Sequence, residues 1–132
     1  HLERYGRLIY SDTYRAADFG PVASAALDIV NVATGSRHAP NQHQIREAIH
    51  VSGNTVKPKR QPRLEFLSES DVECLEHGIA LVEPKDFKAR TEMTHDAAWT
   101  AARARQNKTM PIENIINTLP NADEVLDYVH NG

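Results

Sequence analysis

The sequence is poor in cysteine, with Cys74 alone among 132 residues. A single cysteine excludes an intrachain disulfide and a four-cysteine zinc site. Disulfides are rare in the reducing cytosol, so we expect a cytoplasmic protein.

Long apolar runs are also absent. No stretch approaches the roughly 20 apolar residues that a membrane-spanning helix needs, and no secretory signal is visible. We therefore expect no membrane partner.

Neither sign of charge dominates the chain, whose formal net charge is −3. This balance argues against a protein that coats nucleic acid generally. Basic residues cluster in one patch, formed by Lys57, Lys59, Arg60 and Arg63. The simpler interpretation is an exposed strand edge protected by charge; binding to nucleic acid or to an acidic partner is the alternative.

Common catalytic motifs are missing. The sequence contains no Gly-x-Gly-x-x-Gly, Walker, Gly-x-Ser-x-Gly or His-Glu-x-x-His pattern. The seven histidines lack metal-ligand spacing on a helix, although His38 and His43 in one loop leave a metal-dependent hydrolase as an alternative. We expect no catalytic residues, no metal and no cofactor, and hence a protein that is not an enzyme.

The most distinctive stretch present is Tyr14 to Val22. Gly20 permits unusual backbone conformations, and Pro21 suits the first turn of a helix. We therefore predict a joint at Gly20-Pro21, where an extended, aromatic segment turns into a helix that ends near Gly35.

The middle of the chain predicts a hairpin and a helix. Ser52-Gly53-Asn54 separates two short β-prone segments, as in a hairpin. Ser68 and Asp71 have the spacing of a capping box. The helix they begin carries an apolar stripe that we expect to face a core, Val72, Leu75, Ile79 and Val82.

The last third predicts short helices. Asp86 and Thr94 are candidate N-caps, the second for a helix from His95 to about Arg105. Asn107 to Met110 is a predicted linker, and two more helices follow Pro111 and Asn121. The predicted fold is mainly α, a single compact helical domain over residues 1–132 with one small β-hairpin element.

Two features of the predicted His95 helix bear on function. His95 and Trp99 are four residues apart, so their rings can stack; a core aromatic held by histidine is the simpler interpretation, and a ligand contact the other. Arg103, Arg105 and Lys108 follow, which leaves a DNA-associated transcriptional regulator as an alternative function.

Four landmarks in order resemble a known family. They are His1 to Ile9, the Asp12 to Val22 stretch, Leu67-Ser-Glu-Ser-Asp71, and Thr94-His95-x-x-x-Trp99. This order resembles the Panacea domain, found in antitoxin SocA-like, phage-associated proteins. The aromatic-Gly-Pro-Val segment is the most specific landmark, although Asp18 stands where the family often has a basic residue.

The resemblance implies a bacterial or prophage antitoxin that binds its cognate toxin directly, with delivery of the toxin to a cytosolic protease as a further role. It also implies helices ahead of His1, and it carries over no catalytic residue. It indicates no oligomeric state. The residues that we expect to define the fold or bind the partner are Tyr5, Gly6, Tyr14, Phe19, Gly20, Pro21, Val22, His95 and Trp99.

Overall fold

The computed structural model describes residues 1–132 and shows a mixed α/β protein. Helices hold 50% of the residues and strands 14%, in two small sheets. The prediction of a mainly α domain with one small β-hairpin element is therefore wrong. The missed strands are two to four residues long, too short for a clear period-two pattern.

The helices and strands alternate irregularly along the chain. The helices are α1 (Leu2–Tyr5), α2 (Ser24–Thr34), α3 (Gln42–Ala48), α4 (Glu69–Val82), α5 (Phe87–Thr94), α6 (Ala97–Arg103), α7 (Ile112–Ile116) and α8 (Ala122–Asn131). The strands are β1 (Tyr14–Ala17), β2 (Gly20–Ala23), β3 (Ile49–Ser52), β4 (Thr55–Pro58) and β5 (Thr109–Met110).

The first sheet is antiparallel, in the order β2-β1-β5. Asp18 and Phe19 form the turn between β1 and β2. The predicted joint at Gly20-Pro21 is wrong, because both residues lie in β2 and the next helix begins only at Ser24. Pro21 is tolerated there because β2 is an edge strand that pairs with β1 on one side only. A central strand would need the N–H that proline lacks for its inter-strand hydrogen bonds.

The predicted linker from Asn107 to Met110 is also wrong, since it contains β5. Tyr14 pairs with Met110, and Arg15 pairs with Thr109. A two-residue strand forms because it pairs with a strand that is distant in sequence, not because of local propensity. The sequence around β5 therefore carries no signal for it.

Local predictions in the middle of the chain are confirmed. Strands β3 and β4 form an antiparallel hairpin around Gly53. Ser68 and Asp71 make a reciprocal capping box at the start of α4. Gly35 ends α2 with a positive φ of 83°, the left-handed conformation that favours glycine.

The interior consists of two small apolar clusters. One lies between the first sheet and α6 and contains Ala16, Ala98, Ala102 and Met110. The other joins α1, α7 and α8 and contains Leu2, Ile116 and Val125. Ile115 packs against both clusters, so the two form a continuous contact.

The apolar stripe of α4 does not face a core, contrary to the prediction. Leu75 is 39% exposed and Ile79 58%, and the one buried residue of this helix is Asp71. The stripe has the right period, but only Val72 and Val82 are half-buried, and Leu75 and Ile79 stay exposed.

Two helix boundaries near residue 95 also differ from the prediction. Thr94 is the last residue of α5 rather than an N-cap. Asp96 is the N-cap of α6, and its carboxylate accepts a hydrogen bond from the backbone N–H of Trp99 at 2.9 Å. A carboxylate is a stronger cap than a threonine hydroxyl, which explains the later start.

Candidate partner-binding surface

Two exposed phenylalanines meet at the tip of the β1–β2 hairpin. Phe19 is 70% exposed and Phe87, at the start of α5, is 67% exposed. Their ring centroids lie 5.3 Å apart at a tilt of 60°. This geometry is favourable for an aromatic pair, so the two rings form one apolar projection, here called the aromatic pair.

The hairpin that carries Phe19 is anchored by side chains of α6. The Trp99 indole N–H donates to the Ala17 carbonyl at 2.9 Å. Arg103 donates to the Ala16 carbonyl at 3.2 Å and pairs with Asp18 at 2.9 Å. These contacts with α6 fix the turn that carries the exposed Phe19.

His95, Trp99 and Arg103 form a stack along this anchor. The His95 and Trp99 rings are 3.7 Å apart and nearly parallel, and the Arg103 guanidinium lies 5.6 Å from the Trp99 ring. The predicted stacking of His95 on Trp99 is present, although His95 lies outside α6. Because Arg103 is engaged with the hairpin, it is not available as the DNA-reading residue that the alternative function requires.

The other residues of the Tyr14 to Val22 stretch contribute to the fold. Tyr14 packs against the first core cluster, and burial, followed by nearby Tyr10 and Asp12, raises the pKa of its hydroxyl. Gly20 is buried with φ 132°, and a Cβ there would meet Thr94 Oγ1. Pro21 and Val22 are half-buried in β2.

Tyr5 and Gly6 end α1. Gly6 adopts φ 63°, and its missing side chain leaves room for the Tyr128 ring. Tyr5 is 40% exposed, and its ring lies 4.8 Å from that of His1. Partner-binding roles for these motif residues stay predictions.

Asp71 ties α4 to the first residues of the chain. Its Oδ1 lies 2.8 Å from His1 Nε2 and 3.3 Å from Arg7. The geometry of the His1 contact is not that of a hydrogen bond, since neither atom has a hydrogen-bond partner. The Ser68 backbone N–H is the main cause that lowers the pKa of Asp71, with the Ser68 hydroxyl and Arg7 adding to it.

Asp12 caps α2 from outside the helix. Its carboxylate accepts hydrogen bonds from the N–H groups of Thr13, Ala25 and Ala26, at 2.7, 2.9 and 3.3 Å. The bond from Ala25 is the largest cause that lowers the pKa of Asp12. Ala23, the N-cap residue itself, has no side chain able to cap.

The predicted basic patch lies apart from the aromatic pair, on β4 and the loop after it. All four residues, Lys57, Lys59, Arg60 and Arg63, are exposed, and none forms an ion pair. Lys59 donates to the Arg46 carbonyl at 2.6 Å, and Arg60 to the Gln61 carbonyl at 3.1 Å.

The alternative of a metal-dependent hydrolase receives no support from the geometry. No three His, Cys, Asp or Glu side chains come together in an arrangement that could hold a metal ion. His43 instead pairs with Glu47 at 3.1 Å along α3. Separately, none of the helices combines the length and the apolar character needed to cross a membrane.

Comparison with known proteins gives the family: the antitoxin SocA-like, Panacea domain matches residues 1–100. The chain therefore belongs to the antitoxin SocA-like Panacea domain family. No curated protein and no solved structure matches it.

Sequence reasoning missed several residues of this surface. Phe87 carries no local signal for a binding role, and its contact with Phe19 could not be found because the two are distant in sequence. Arg103 carried a basic-helix signal but serves as a hairpin anchor. Asp12 begins one of the family landmarks, but the helix it caps begins beyond the next hairpin.

Proposed function

We propose that this protein is a non-catalytic antitoxin that neutralises a cognate toxin by binding to it directly. The proposal builds on the family, whose description is that of an antitoxin SocA-like domain. The observation that carries it is the aromatic pair, in which two large apolar rings are about two-thirds exposed.

Such a pair has the character of an interface anchor. Aromatic residues are enriched in the buried centres of protein interfaces, and anchors of this kind carry most of the binding energy. Because Trp99 and Arg103 hold the hairpin in place, little ordering of Phe19 is needed when a partner binds.

Co-expression with the product of the adjacent gene tests the proposal, with cell growth and pull-down as readouts. The wild-type chain should restore growth and retain the neighbouring protein. The Phe19→Ser and Phe87→Ser variants should lose both effects. Phe66→Ser is a matched control, because Phe66 is 84% exposed and makes no aromatic contact with the pair.

A neighbour that is harmless alone and forms no complex would overturn the antitoxin proposal. Rescue that survives both Phe19→Ser and Phe87→Ser would keep the function but remove the aromatic pair as its anchor.

Delivery of the bound toxin to a cytosolic protease is a second step of the same proposal. The half-life of the toxin in growing cells, with and without this chain, tests it. A shorter half-life in the presence of the chain supports delivery, and an unchanged half-life alongside growth rescue shows neutralisation by binding alone.

Nucleic-acid binding is the second candidate function, favoured by the four exposed and unpaired cations of the basic patch. Retention on DNA should then fall steeply with salt. The double variant Lys57→Gln, Arg63→Gln should abolish it, and Arg105→Gln, in the loop after α6, should not.

We also propose that residues 1–132 fold as one domain, because Ile115 packs against both core clusters. A single cooperative unfolding transition is expected. The presence of helices ahead of His1 stays a prediction.

A further inference from the structure

An apolar groove lies beside α4, away from the residues of the aromatic pair. Its volume is about 530 Å³, and 9 of its 13 lining residues are apolar. Leu2 and Leu8 come from the start of the chain, Leu75 from α4, and Met110 and Ile115 from the core side. The groove therefore brings Leu75, one residue of the α4 stripe, next to residues of the interior.

Acidic residues outnumber basic ones along this groove, where His1 is the one basic residue. Glu3 and Asp96 line it, and no lysine or arginine does. Helix α4 itself carries Glu69, Asp71, Glu73 and Glu76 and no lysine or arginine. Arg4 and Arg7 neutralise Glu73 and Asp71, whereas Glu3, Glu69 and Glu76 form no ion pair.

The chain as a whole exposes more surface than is typical of a compact protein of its mass. The chain exposes 9508 Å², whereas a compact protein of 14.8 kDa is expected to expose about 7,000 Å². The surplus of about 2,500 Å² exceeds the roughly 800 Å² that each protein loses in an interface of standard size.

We propose that this groove and the α4 stripe bind an amphipathic helix of a partner protein whose polar face is basic. Apolar side chains of that helix enter the groove between Leu2, Leu8 and Leu75, as in other helix-in-groove complexes. Lysine or arginine side chains on its flanks then face Glu3 and the unpaired acids of α4. The identification of this partner as the toxin rests on the proposed function. The binding of a basic amphipathic helix in the groove does not depend on that function.

The binding test uses a fluorescein-labelled synthetic peptide, helical, with leucine on one face and lysine on the other. Its fluorescence anisotropy is followed as the full chain is added at about 0.15 M salt, where long-range attraction is screened. The wild-type chain should bind this peptide and should not bind a matched peptide with glutamate in place of lysine.

Two variants of α4 separate groove binding from general attraction between opposite charges. Leu75→Lys and Leu81→Lys change the net charge equally, but only Leu75 lines the groove. We expect Leu75→Lys to weaken binding at least about tenfold, the effect of losing one interface anchor, and Leu81→Lys to change it less than about twofold. Tyr10→Lys, at a groove residue that is 52% exposed, repeats the test if Leu75→Lys unfolds by circular dichroism.

Equal weakening by the groove variants and Leu81→Lys would overturn the proposal in favour of non-specific attraction. Sedimentation provides the other check: a wild-type dimer that Leu75→Lys converts to a monomer would assign the groove to a second copy of this chain. If the neighbouring gene product is not a toxin but the peptide still distinguishes Leu75 from Leu81, the proposed function fails and the groove assignment stands.

Discussion

The Asp12 carboxylate accepts a hydrogen bond from the Ala25 N–H at 2.9 Å, so a residue ahead of the first hairpin caps the helix that follows it. Removing this cap with Asp12→Ala should lower the melting temperature by several degrees, because three backbone N–H groups lose their acceptor. Thermal unfolding followed by circular dichroism at neutral pH measures the effect. Glu65→Gln, an exposed acid in a loop, is the control and should change little.

The same carboxylate predicts a pH dependence. The pKa of Asp12 is lowered in the folded protein, so its contribution to stability is complete above about pH 4, the ordinary aspartate value. It is lost as the pH falls through the lower folded-state pKa. The difference in melting temperature between wild type and Asp12→Ala should therefore be constant near neutral pH and shrink below about pH 4; a difference that grows on acidification would contradict the assignment.

Gly20 is the position at which we expect a small substitution to have a large effect. Its φ of 132° is rarely adopted by other residues, and an added Cβ would lie 2.7 Å from Thr94 Oγ1. Gly20→Ala should cost about 1–3 kcal/mol in the free energy of unfolding, measured by urea denaturation. Gly53→Ala is the matched control, because φ is also positive there but no atom lies within 4 Å of the added Cβ; equal costs for the two would exclude the Thr94 contact.

Trp99 should contribute to stability through its indole N–H as well as its ring. Trp99→Phe keeps an aromatic ring but leaves the Ala17 carbonyl without its donor, a loss of about 1–3 kcal/mol. Urea denaturation followed by circular dichroism, which needs no tryptophan, measures it. Tyr128→Phe removes the hydroxyl of a residue that is 59% exposed and should be nearly neutral; an equally neutral Trp99→Phe would show that the Trp99 hydrogen bond does not stabilise the hairpin.

Ile116 should mark the centre of the second core cluster. It is 0% exposed, so Ile116→Ala should cost about 2–5 kcal/mol by removing buried contacts and leaving a cavity. Ile79→Ala removes the same atoms from a residue that is 58% exposed and should cost less than about 1 kcal/mol. Similar losses at both positions would mean that α4 is more deeply packed than the structure shows.

The features that could be predicted from the sequence depend on neighbours in the chain. The Ser68–Asp71 capping box, the hairpin around Gly53 and the end of α2 at Gly35 all form within a few residues. Their hydrogen bonds exist as soon as the local backbone adopts the favoured conformation, so residue type and spacing are sufficient.

The sequence by itself thus determined the Ser68–Asp71 capping box, the end of α2 at Gly35, the second hairpin and the family landmarks. Tertiary structure alone decided the pairing of Tyr14 with Met110, the contact of Phe19 with Phe87 and the exposure of Leu75. The physical reason is that an apolar period shows which side chains share a face, whereas burial depends on what another part of the fold places over that face. On α4 Leu75 stays 39% exposed, so a residue of a stripe that predicts a core lines an open groove instead.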